Sequence, residues 1–511
     1  MSADIHIVDL FSGPGGLGEG FCSASSLCGE PRYRLDVSIE KEAAAHKTLT
    51  LRAFLRKFDE YPQEYYLWLA GSSKEPNWSE LYPEQWCQAQ NEAWHAELGT
   101  PEVTKELSKR IQKIKEVAGN RTLLIGGPPC QAYSLVGRSR NAGVKNYKPS
   151  KDHRHFLYQE YCRVLSEFSP SVFVMENVKG MLSSSVEGLA IFDSVLNDLE
   201  AAGEGYKLFA LSGEALLQDR PEPRDFILRS EDYGVPQARH RVFIVGIKRR
   251  IAEQLPVENW PVLPKNNRKS TVMDVLGGMP RLRSGLSKGD GEAVWYEALG
   301  SAVKKVRACL AEYTGENRRK FLKELDKVEE SAQKANGKRS SISLPSFTDS
   351  ISADLQAFLS DGKLQSLSCN ETRGHMEADL ARYLFASCFA KAENRSPKAP
   401  DFPSKIAPKH ANWKSGKFSD RFRVQGWNSP AKTVTSHISK DGHYYIHPDA
   451  SQCRSLTVRE AARLQTFPDN YHFLGNRTEQ FVQVGNAVPP YLAKQIAGIL
   501  QPIFLNIDGK N

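Results

Sequence analysis

One loop near residue 130 combines a cysteine with two prolines. It reads Gly126-Gly127-Pro128-Pro129-Cys130-Gln131 and follows the short apolar run Thr122-Leu123-Leu124-Ile125. Such a run, ended abruptly by glycines, is typical of a buried parallel strand. Ligands bind at the carboxyl ends of strands in open α/β sheets, and prolines stiffen a chain by fixing φ. Cys130 is therefore a candidate nucleophile, with a buried structural thiol as the alternative.

Two further segments place charged groups at predicted strand ends. The run Ser171-Val172-Phe173-Val174-Met175 predicts a buried strand that ends at Glu176. A carboxylate there shares the crevice with Cys130 and can exchange a proton with a ring nitrogen, unless it only caps the strand. Downstream, Arg239 and Arg241 share one face if a strand already begins there. Arginines at a strand edge are also common as plain surface charges.

The N-terminus has the pattern of a nucleoside-cofactor site. A predicted strand from Ile5 to Leu10 leads into Phe11-Ser12-Gly13-Pro14-Gly15-Gly16-Leu17-Gly18, which satisfies GxGxxG ahead of a predicted helix. Glycines let the backbone approach a cofactor, and the helix N-terminus favours its anionic group. The next predicted strand, Arg34 to Ile39, ends at Glu40, which is placed to accept hydrogen bonds from ribose hydroxyls. This pattern does not distinguish NAD from S-adenosylmethionine, and a glycine turn without a ligand is the alternative.

Length and composition set the class of protein. A chain of 511 residues predicts two domains, or one large domain with a smaller one inserted. The net charge of +8, from 68 basic and 60 acidic residues, is compatible with a polyanionic partner without requiring one. Nine scattered cysteines without CxxC pairs favour a reducing compartment. No apolar stretch approaches membrane-spanning length and no signal peptide precedes the first strand, so we expect a cytoplasmic protein.

Two long segments have patterns without obvious chemistry. Residues 51–114 are rich in tryptophan and predict helices packed on the sheet as an insertion. A basic helical stretch follows from Val303 to Lys334, where interleaved acids favour a solvated face over a DNA-binding stripe. Near the C-terminus, Asp441-Gly442 between two β-prone runs predicts a hairpin. The nearby histidines fit no zinc spacing, and we expect no metal.

Taken together, the motifs resemble those of the DNA (cytosine-5)-methyltransferases of the bacterial type. The resemblance covers both ends of the chain in the order of the family. The matching segments are Asp9 to Gly16, Gly127 to Gln131, Glu176-Asn177-Val178, Gln237-Ala238-Arg239-His240-Arg241, Arg454 to Pro468, and Gln483 to Pro490. Each segment alone has an ordinary structural explanation, but six of them in order do not.

The resemblance implies an α/β fold, with a Rossmann-like S-adenosylmethionine-dependent methyltransferase domain and an inserted smaller target-recognition domain. The catalytic domain would occupy residues 1–258 and 454–511, and the recognition region residues 259–453. Base edges would be read mainly by residues 418–447. The implied cofactor contacts come from Phe11, Ser12, Gly13, Gly15, Gly16, Leu17, Glu40, Pro128, Asn486 and Val488.

The implied reaction acts on a cytosine that has been flipped out of double-stranded DNA. The Cys130 thiolate attacks C6, while Glu176 hydrogen-bonds at N3 and the exocyclic amine. C5 then takes the methyl group of S-adenosylmethionine. Arg239 and Arg241 steady the base or its phosphate. The family usually has an acid after the third strand for the adenine amino group, and the nearest local candidate, Thr100, is not an acid, so that contact stays unassigned.

Three functional interpretations follow. The leading one is DNA cytosine C5 methylation, either with a cognate restriction enzyme or defence-system proteins or by a solitary enzyme. The second is the same chemistry on RNA such as tRNA, which the long variable region disfavours, because duplex readout needs a separate recognition domain. The third is a binding module or a dehydrogenase that uses the GxGxxG loop, which Cys130 and Glu176 at neighbouring strand ends disfavour.

Overall fold

The computed structural model describes residues 4–24, 31–129, 153–183, 185–186, 189–213, 220–310, 314–332, 337–408, 413 and 420–508. Its strands, in chain order, are β1 Ile5–Leu10, β2 Tyr33–Glu40, β3 Ala93–His95, β4 Thr122–Gly126, β5 Val172–Val178, β6 Ser185–Val186, β7 Leu189–Ala190, β8 Tyr206–Phe209, β9 Ile227–Arg229, β10 Gln237–Ala238, β11 His240–Lys248, β12 Gly285–Leu286, β13 Gly374–His375 and β14 Ala431–Lys432.

The main sheet is mostly parallel, with the order β3-β2-β1-β4-β5-β11-β8, and β9 pairs with β11. Strand β11 runs antiparallel to both of its neighbours on this path, β5 and β8. The register of β4 against β5 pairs Gly126 with Met175, so the proline loop leaves β4 beside Glu176 of β5. The four strands predicted around the motifs, β1, β2, β4 and β5, are confirmed.

The helices connect and cover these strands. In chain order they are α1 Gly16–Cys22, α2 Ala43–Leu55, α3 Gln63–Leu69, α4 Trp78–Leu81, α5 Pro83–Glu92, α6 Pro101–Ala118, α7 His153–Phe168, α8 Ile191–Ala201, α9 Arg249–Ala252, α10 Val272–Leu276, α11 Glu292–Cys309, α12 Gly315–Ala332, α13 Ala353–Leu359, α14 Glu377–Glu393, α15 Val458–Leu464, α16 Arg477–Asn486 and α17 Pro490–Asp508.

The central strands of the sheet are buried on both faces, which explains the continuous apolar runs of β4 and β5. Successive residues point to opposite sides, so Ile7 packs in one core and Val8 in the other. The first core includes α1 and α17 through Phe21 and Ile496. The second includes α6 and α7 through residues such as Tyr161.

Two smaller cores belong to the segments around the sheet. Helices α2 to α5 enclose an aromatic cluster that includes Phe54, Tyr65 and Trp78, so the predicted insertion is present. This segment also contributes strand β3, which its helical pattern does not reveal. Helices α11, α12 and α14 form a bundle around Trp295 and Phe385 inside the region 259–453.

One sequence expectation about this region needs correction. The stretch predicted to be helical from Val303 to Lys334 has two helices in its described residues, since α11 ends at Cys309 and α12 begins at Gly315. The predicted hairpin at Asp441-Gly442 is wrong. The chain makes a 3₁₀ turn at Ser436–Ser439 instead, and Ile446 bridges to Val424 and Ser455. Hydrogen bonds to other elements satisfy this segment, so the local turn signal does not decide its pairing.

Across the described ranges, no helix combines the length and the apolar character needed to cross a membrane.

Candidate functional site

Glu176 lies near the carboxyl end of β5, two residues before the strand ends at Val178, and the proline loop follows the neighbouring strand β4. Its Oε1 atom forms an ion pair with Arg241 Nε at 3.0 Å, and both side chains are mostly buried. Its Oε2 atom lies 3.0 Å from the position that a Cβ would occupy on Gly127. The register brings Arg241 there, because β11 runs antiparallel to β5 and pairs Phe243 with Glu176. A carboxylate is thus held in a fixed orientation next to the loop that leads to Cys130.

The proline loop is tied to the same strand end. Asn177 is buried, and its Nδ2 donates to the carbonyl of Pro128 at 3.1 Å. Gly126 admits no side chain, since a Cβ there would lie 2.6 Å from the carbonyl of Leu10. Cys130 itself lies outside the described residues. The structure therefore describes the base of this loop and the carboxylate beside it.

The two arginines have different surroundings. Arg241 contacts Glu176, and burial lowers its pKa while the carboxylate opposes that shift. Arg239 precedes β11 and is fully buried; its Nη1 donates to the carbonyls of Val434 at 2.8 Å and Gly485 at 3.3 Å. Burial, with the nearby charge of Arg241, lowers the pKa of Arg239 to about 9. Of the two, Arg241 is the one that joins the carboxylate, while Arg239 ties together two backbone segments.

The glycine loop after β1 is held by the acid at the end of β2. Glu40 Oε2 accepts from the amide of Gly13 at 2.8 Å, and Oε1 accepts from the amide of Glu42 at 2.7 Å. Burial raises the pKa of Glu40, and these two backbone hydrogen bonds oppose the increase. Ser12 donates to the carbonyl of Asp9 at 3.0 Å. The remaining lone pairs of the Glu40 carboxylate are available to ribose hydroxyls.

The backbone of the glycine loop after β1 has conformations that leave space for a ligand. Phe11 has φ 59°, a left-handed conformation that is uncommon for a side chain of that size. Gly13 has φ 58°, and a Cβ there would meet open space. Asp9 is buried with an Oδ2 atom that finds no hydrogen-bond partner among the described residues, and burial raises its pKa to about 8. A buried carboxyl with one unpartnered oxygen, beside an open glycine loop, fits a polar nucleoside cofactor such as S-adenosylmethionine.

The C-terminal segment closes against this loop, as the motif order predicts. A Cβ on Gly16 would lie 2.4 Å from the carbonyl of Val488, so helix α1 and the segment before α17 are in direct backbone contact. Leu17 is buried, whereas Asn486 at the end of α16 is exposed. Residues more than 450 positions apart in the sequence thus meet at one edge.

A buried aromatic residue outside the predicted set supports the same loop. The hydroxyl of Tyr471 donates to the carbonyl of Pro14, and Arg52 lies over its ring at 4.4 Å. Arg52 in turn donates to Glu19 of α1 at 2.5 Å. Tyr471 follows the matched segment 454–468 by three positions, so only an extension of that motif could have found it.

The structure shows which residues follow the third strand. Strand β3 ends at His95, opposite Glu40, and Thr100 is the N-cap of α6 rather than part of the strand end. Glu97 is the first acid after β3, and it lies 3.4 Å from Lys41. The sequence pattern did not show where β3 ends, and for that reason it indicated Thr100 and not Glu97 as the residue after the strand.

Residues 433–447 are the last part of the range 418–447 that the family resemblance implies for base readout, and we call them the readout segment for that expectation only. They pack against both the sheet domain and α16. Gln237 accepts from the amide of Val434 at 2.7 Å, and Thr433 donates to the carbonyl of Ala238 at 2.7 Å. Gly485 lies directly beneath it, because a Cβ there would approach Ser436 N to 2.3 Å. The segment therefore has a defined position relative to Glu176.

Comparisons with known proteins agree with this geometry. A profile of the family described as C-5 cytosine-specific DNA methylase matches residues 84–501. A type II methyltransferase of Bacillus paralicheniformis is 33% identical over 97% of this chain and 98% of its own length. One of Thalassovita gelatinovora is 27% identical over 96% and 97%. A structure solved for a prophage-encoded protein of the DNA modification methyltransferase type from E. coli has a TM-score of 0.51 at 21% identity, covering 98% of this chain and all of that one; it supports the fold alone.

Proposed function

This chain belongs to the C-5 cytosine-specific DNA methylase family, and from that premise we infer how its own residues carry out the reaction. It is a DNA (cytosine-5-)-methyltransferase whose methyl donor is S-adenosylmethionine. The proposal concerns the roles of Cys130, Glu176 and Arg241, the cofactor contacts and the target.

The observation that carries the proposal is the position of the Glu176 carboxylate. It stands at the end of β5, beside Gly127 of the loop that leads to Cys130, and Arg241 holds it at 3.0 Å. A thiol that adds to C6 of cytosine needs a partner for the charge that develops at N3. Glu176 is the side chain placed for that task, and Arg241 orients it.

The steps assigned to the protein are as follows. Cys130 as thiolate forms a bond to C6 of a flipped-out cytosine, while Glu176 hydrogen-bonds at N3 and the exocyclic amine. When bound, S-adenosylmethionine supplies an activated methyl group on a sulfonium. After C5 has been methylated, a base removes the C5 proton and the bond between Cys130 and C6 breaks, which restores the thiolate. Asn177 keeps the proline loop in place through Pro128.

The cofactor would be held by the glycine loop. Glu40 would accept the ribose hydroxyls, the segment from Phe11 to Leu17 would line the pocket, and Pro128, Asn486 and Val488 would complete it. We assign the adenine amino group to Glu97, the first acid after β3. Arg239 would act by positioning, since its hydrogen bonds join the carbonyls of Val434 and Gly485.

The substrate is expected to be duplex DNA read by the region 259–453, whose readout segment lies between the sheet domain and the helical bundle. Because similar chains are type II methyltransferases, we propose that this enzyme modifies one short sequence as the partner of a restriction or defence system. A cytoplasmic location would follow from that role.

Labelled S-adenosylmethionine tests the substrate and the nucleophile together. We expect label in duplex DNA and none in total tRNA, and no transfer by Cys130→Ala even though that variant still binds the cofactor. Label in tRNA alone would overturn the DNA assignment, and turnover by Cys130→Ala would remove Cys130 as the nucleophile. Bisulfite sequencing of DNA from an expressing host would then give the target, and methylation without a fixed sequence context would contradict the restriction-partner proposal.

A further inference from the structure

The segment Asn370-Glu371-Thr372-Arg373-Gly374-His375 is polar and interrupted by glycine, and the reaction assigns it no role. It lies in the recognition region and ends in β13, which pairs in parallel with β12. The carbonyl of Arg373 accepts from the amide of Gly285 at 3.0 Å, so its backbone is fixed by this small sheet.

The side chain of Arg373 reaches from that sheet to the readout segment. Its Nη2 donates to the carbonyl of Ile438 at 2.7 Å, and its Nη1 donates to the carbonyl of Lys440 at 3.0 Å. The guanidinium lies 4.5 Å from the ring centroid of Phe481 in α16. Arg373 therefore contacts three elements at once: strand β12 through its backbone, and the readout segment and a helix of the sheet domain through its side chain.

The two carbonyls lie at the end of the 3₁₀ turn 436–439, on Ile438 within it and on Lys440 directly after it, and no helix or strand follows immediately. Within the 3₁₀ turn, the amides of Ile438 and Lys440 donate to the carbonyls of Thr435 and His437. The carbonyls of Ile438 and Lys440 themselves face out of the turn toward Arg373. Carbonyls at the end of a helical turn need donors from elsewhere, and hydrogen bonds from a charged donor are stronger than neutral ones.

The chain just before the turn is held from the sheet domain. Gln237 and Arg239 bind the amide and the carbonyl of Val434, at 2.7 and 2.8 Å. The turn 436–439 is thus held on both sides. Gln237 and Arg239 of the sheet domain bind the chain before it, and Arg373 of the recognition region binds its end; we call the Arg373 contacts the clamp. Ile438 is fully buried beneath it, so the turn has an anchored base.

We propose that Arg373 is a positioning residue for target readout: it fixes the conformation of residues 436–440, so that their side chains meet the bases in one register. This inference rests on the proposed function for its DNA-reading consequence. Its structural part, the clamp on the turn, does not depend on which nucleic acid is bound.

Arg373→Met is the decisive variant, because it keeps a long apolar side chain against Phe481 and removes both hydrogen bonds. Without the two charge-assisted bonds, we expect the KM for target duplex DNA to rise about tenfold and methylation at near-target sites to increase, with the S-adenosylmethionine Kd within about twofold of wild type. Arg373→Lys, which can still reach one carbonyl, should recover part of the loss.

Arg477→Met is the matched control. Arg477 donates to the carbonyl of Thr372 at 3.0 Å, so it binds the same loop, but its hydrogen bond does not involve the readout turn. We expect its KM for DNA and its site preference to stay within about twofold of wild type, as is usual for a partly exposed side chain. An equal defect in both variants would show a general effect of loop stability and would overturn the proposal.

Amide hydrogen exchange provides a readout that is independent of methyl transfer. In Arg373→Met, the amides of Ile438 and Lys440 should exchange at least several-fold faster than in wild type, with the sheet strands unchanged. Unchanged exchange in a folded Arg373→Met protein would overturn the clamp, whatever the activity. Faster exchange together with wild-type KM and site preference would overturn its role in readout. A wild-type protein that methylates no DNA would refute the proposed function and leave the exchange result to decide the clamp.

Discussion

Two regions of the molecule are positioned by different kinds of contact. One is the edge of the sheet where the glycine loop, the proline loop and Glu176 lie, which we call the catalytic edge, and the other is the readout segment. At the catalytic edge, glycines and short polar side chains hold backbone loops: Glu40 binds the Gly13 amide and Asn177 binds the Pro128 carbonyl. Around the readout segment, guanidiniums bind carbonyls: the buried Arg239 binds that of Val434 near the start of the segment, and the half-buried Arg373 binds that of Ile438 in its middle.

The difference follows from what each region has to do. A cofactor pocket must bring backbone close to a ligand, and glycine at a strand end achieves that with local geometry alone. A readout segment must be held at a fixed place by elements that are distant in sequence. A long arginine side chain with several donors spans that distance and binds two carbonyls at once.

The strongest test of the catalytic edge is Glu176→Gln. The amide keeps the size of the side chain but cannot carry the carboxylate's charge or exchange its proton, so we expect kcat to fall about 10²–10⁴-fold. Cofactor binding should not change, because Glu40 and the glycine loop are untouched. Single-turnover methyl transfer measures the effect, and kcat within a factor of three of wild type would show that Glu176 does not assist the chemistry.

Arg454→Met tests how much the guanidinium contacts around the readout segment contribute to the free energy of unfolding. Arg454 makes two hydrogen bonds of 2.6 Å to Glu460, and both side chains are completely buried. Removing the cation leaves a buried carboxylate uncompensated, which typically costs about 3–5 kcal/mol of unfolding free energy. Urea unfolding measures this. A loss below about 1 kcal/mol would mean that buried arginines contribute little to this region.

The same pair predicts a pH dependence. Arg454 opposes the effect of burial and holds the pKa of Glu460 at about 2, below its ordinary 4.5. A depressed pKa contributes stability that is complete above 4.5 and is lost as the pH falls toward 2. Between about pH 5 and pH 2, the free energy of unfolding should therefore fall more steeply in wild type than in Glu460→Gln. Equal slopes would contradict the assignment.

Gly16→Ala tests the backbone contact at the catalytic edge. The added methyl group would lie 2.4 Å from the carbonyl of Val488, so α1 and the C-terminal segment must separate. Overpacking of this kind costs about 1–3 kcal/mol, and we expect a lower Tm with weaker cofactor binding. Gly498→Ala, in α17 with open space around it, is the control and should be neutral or stabilising. A neutral Gly16→Ala would show that the contact is not tight.

Tyr471→Phe should have the smallest effect. It removes one hydrogen bond to the carbonyl of Pro14 and keeps the ring beneath Arg52. The expected loss is about 0.5–1.5 kcal/mol in cofactor binding, or a few-fold in Kd. Calorimetric titration with S-adenosylmethionine measures it, and the KM for DNA serves as the internal control. A change in the KM for DNA without a change in Kd would place Tyr471 with the readout segment instead.

The same contrast explains what could be predicted from sequence. Strand β1, the acid Glu40 and the acid Glu176 follow from apolar runs and the residues that end them, because each signal is local. The clamp by Arg373 could not be predicted, since Ile438 and Lys440 lie 65 and 67 positions away. The hairpin expected at Asp441-Gly442 failed for the same reason: its turn signal is real, but tertiary partners decide the pairing. Strand β3 was missed because three residues carry too little pattern.

In the proposed reaction, Cys130 bonds to C6 of a cytosine in DNA while Glu176 assists. A duplex with 5-fluorocytosine at the position identified by bisulfite sequencing tests it directly, because the fluorine replaces the C5 proton that must leave before the Cys130–C6 bond can break. With S-adenosylmethionine present, mass spectrometry should find a protein–DNA adduct on the peptide that contains Cys130. An adduct on another residue, or turnover without an adduct, would contradict the account.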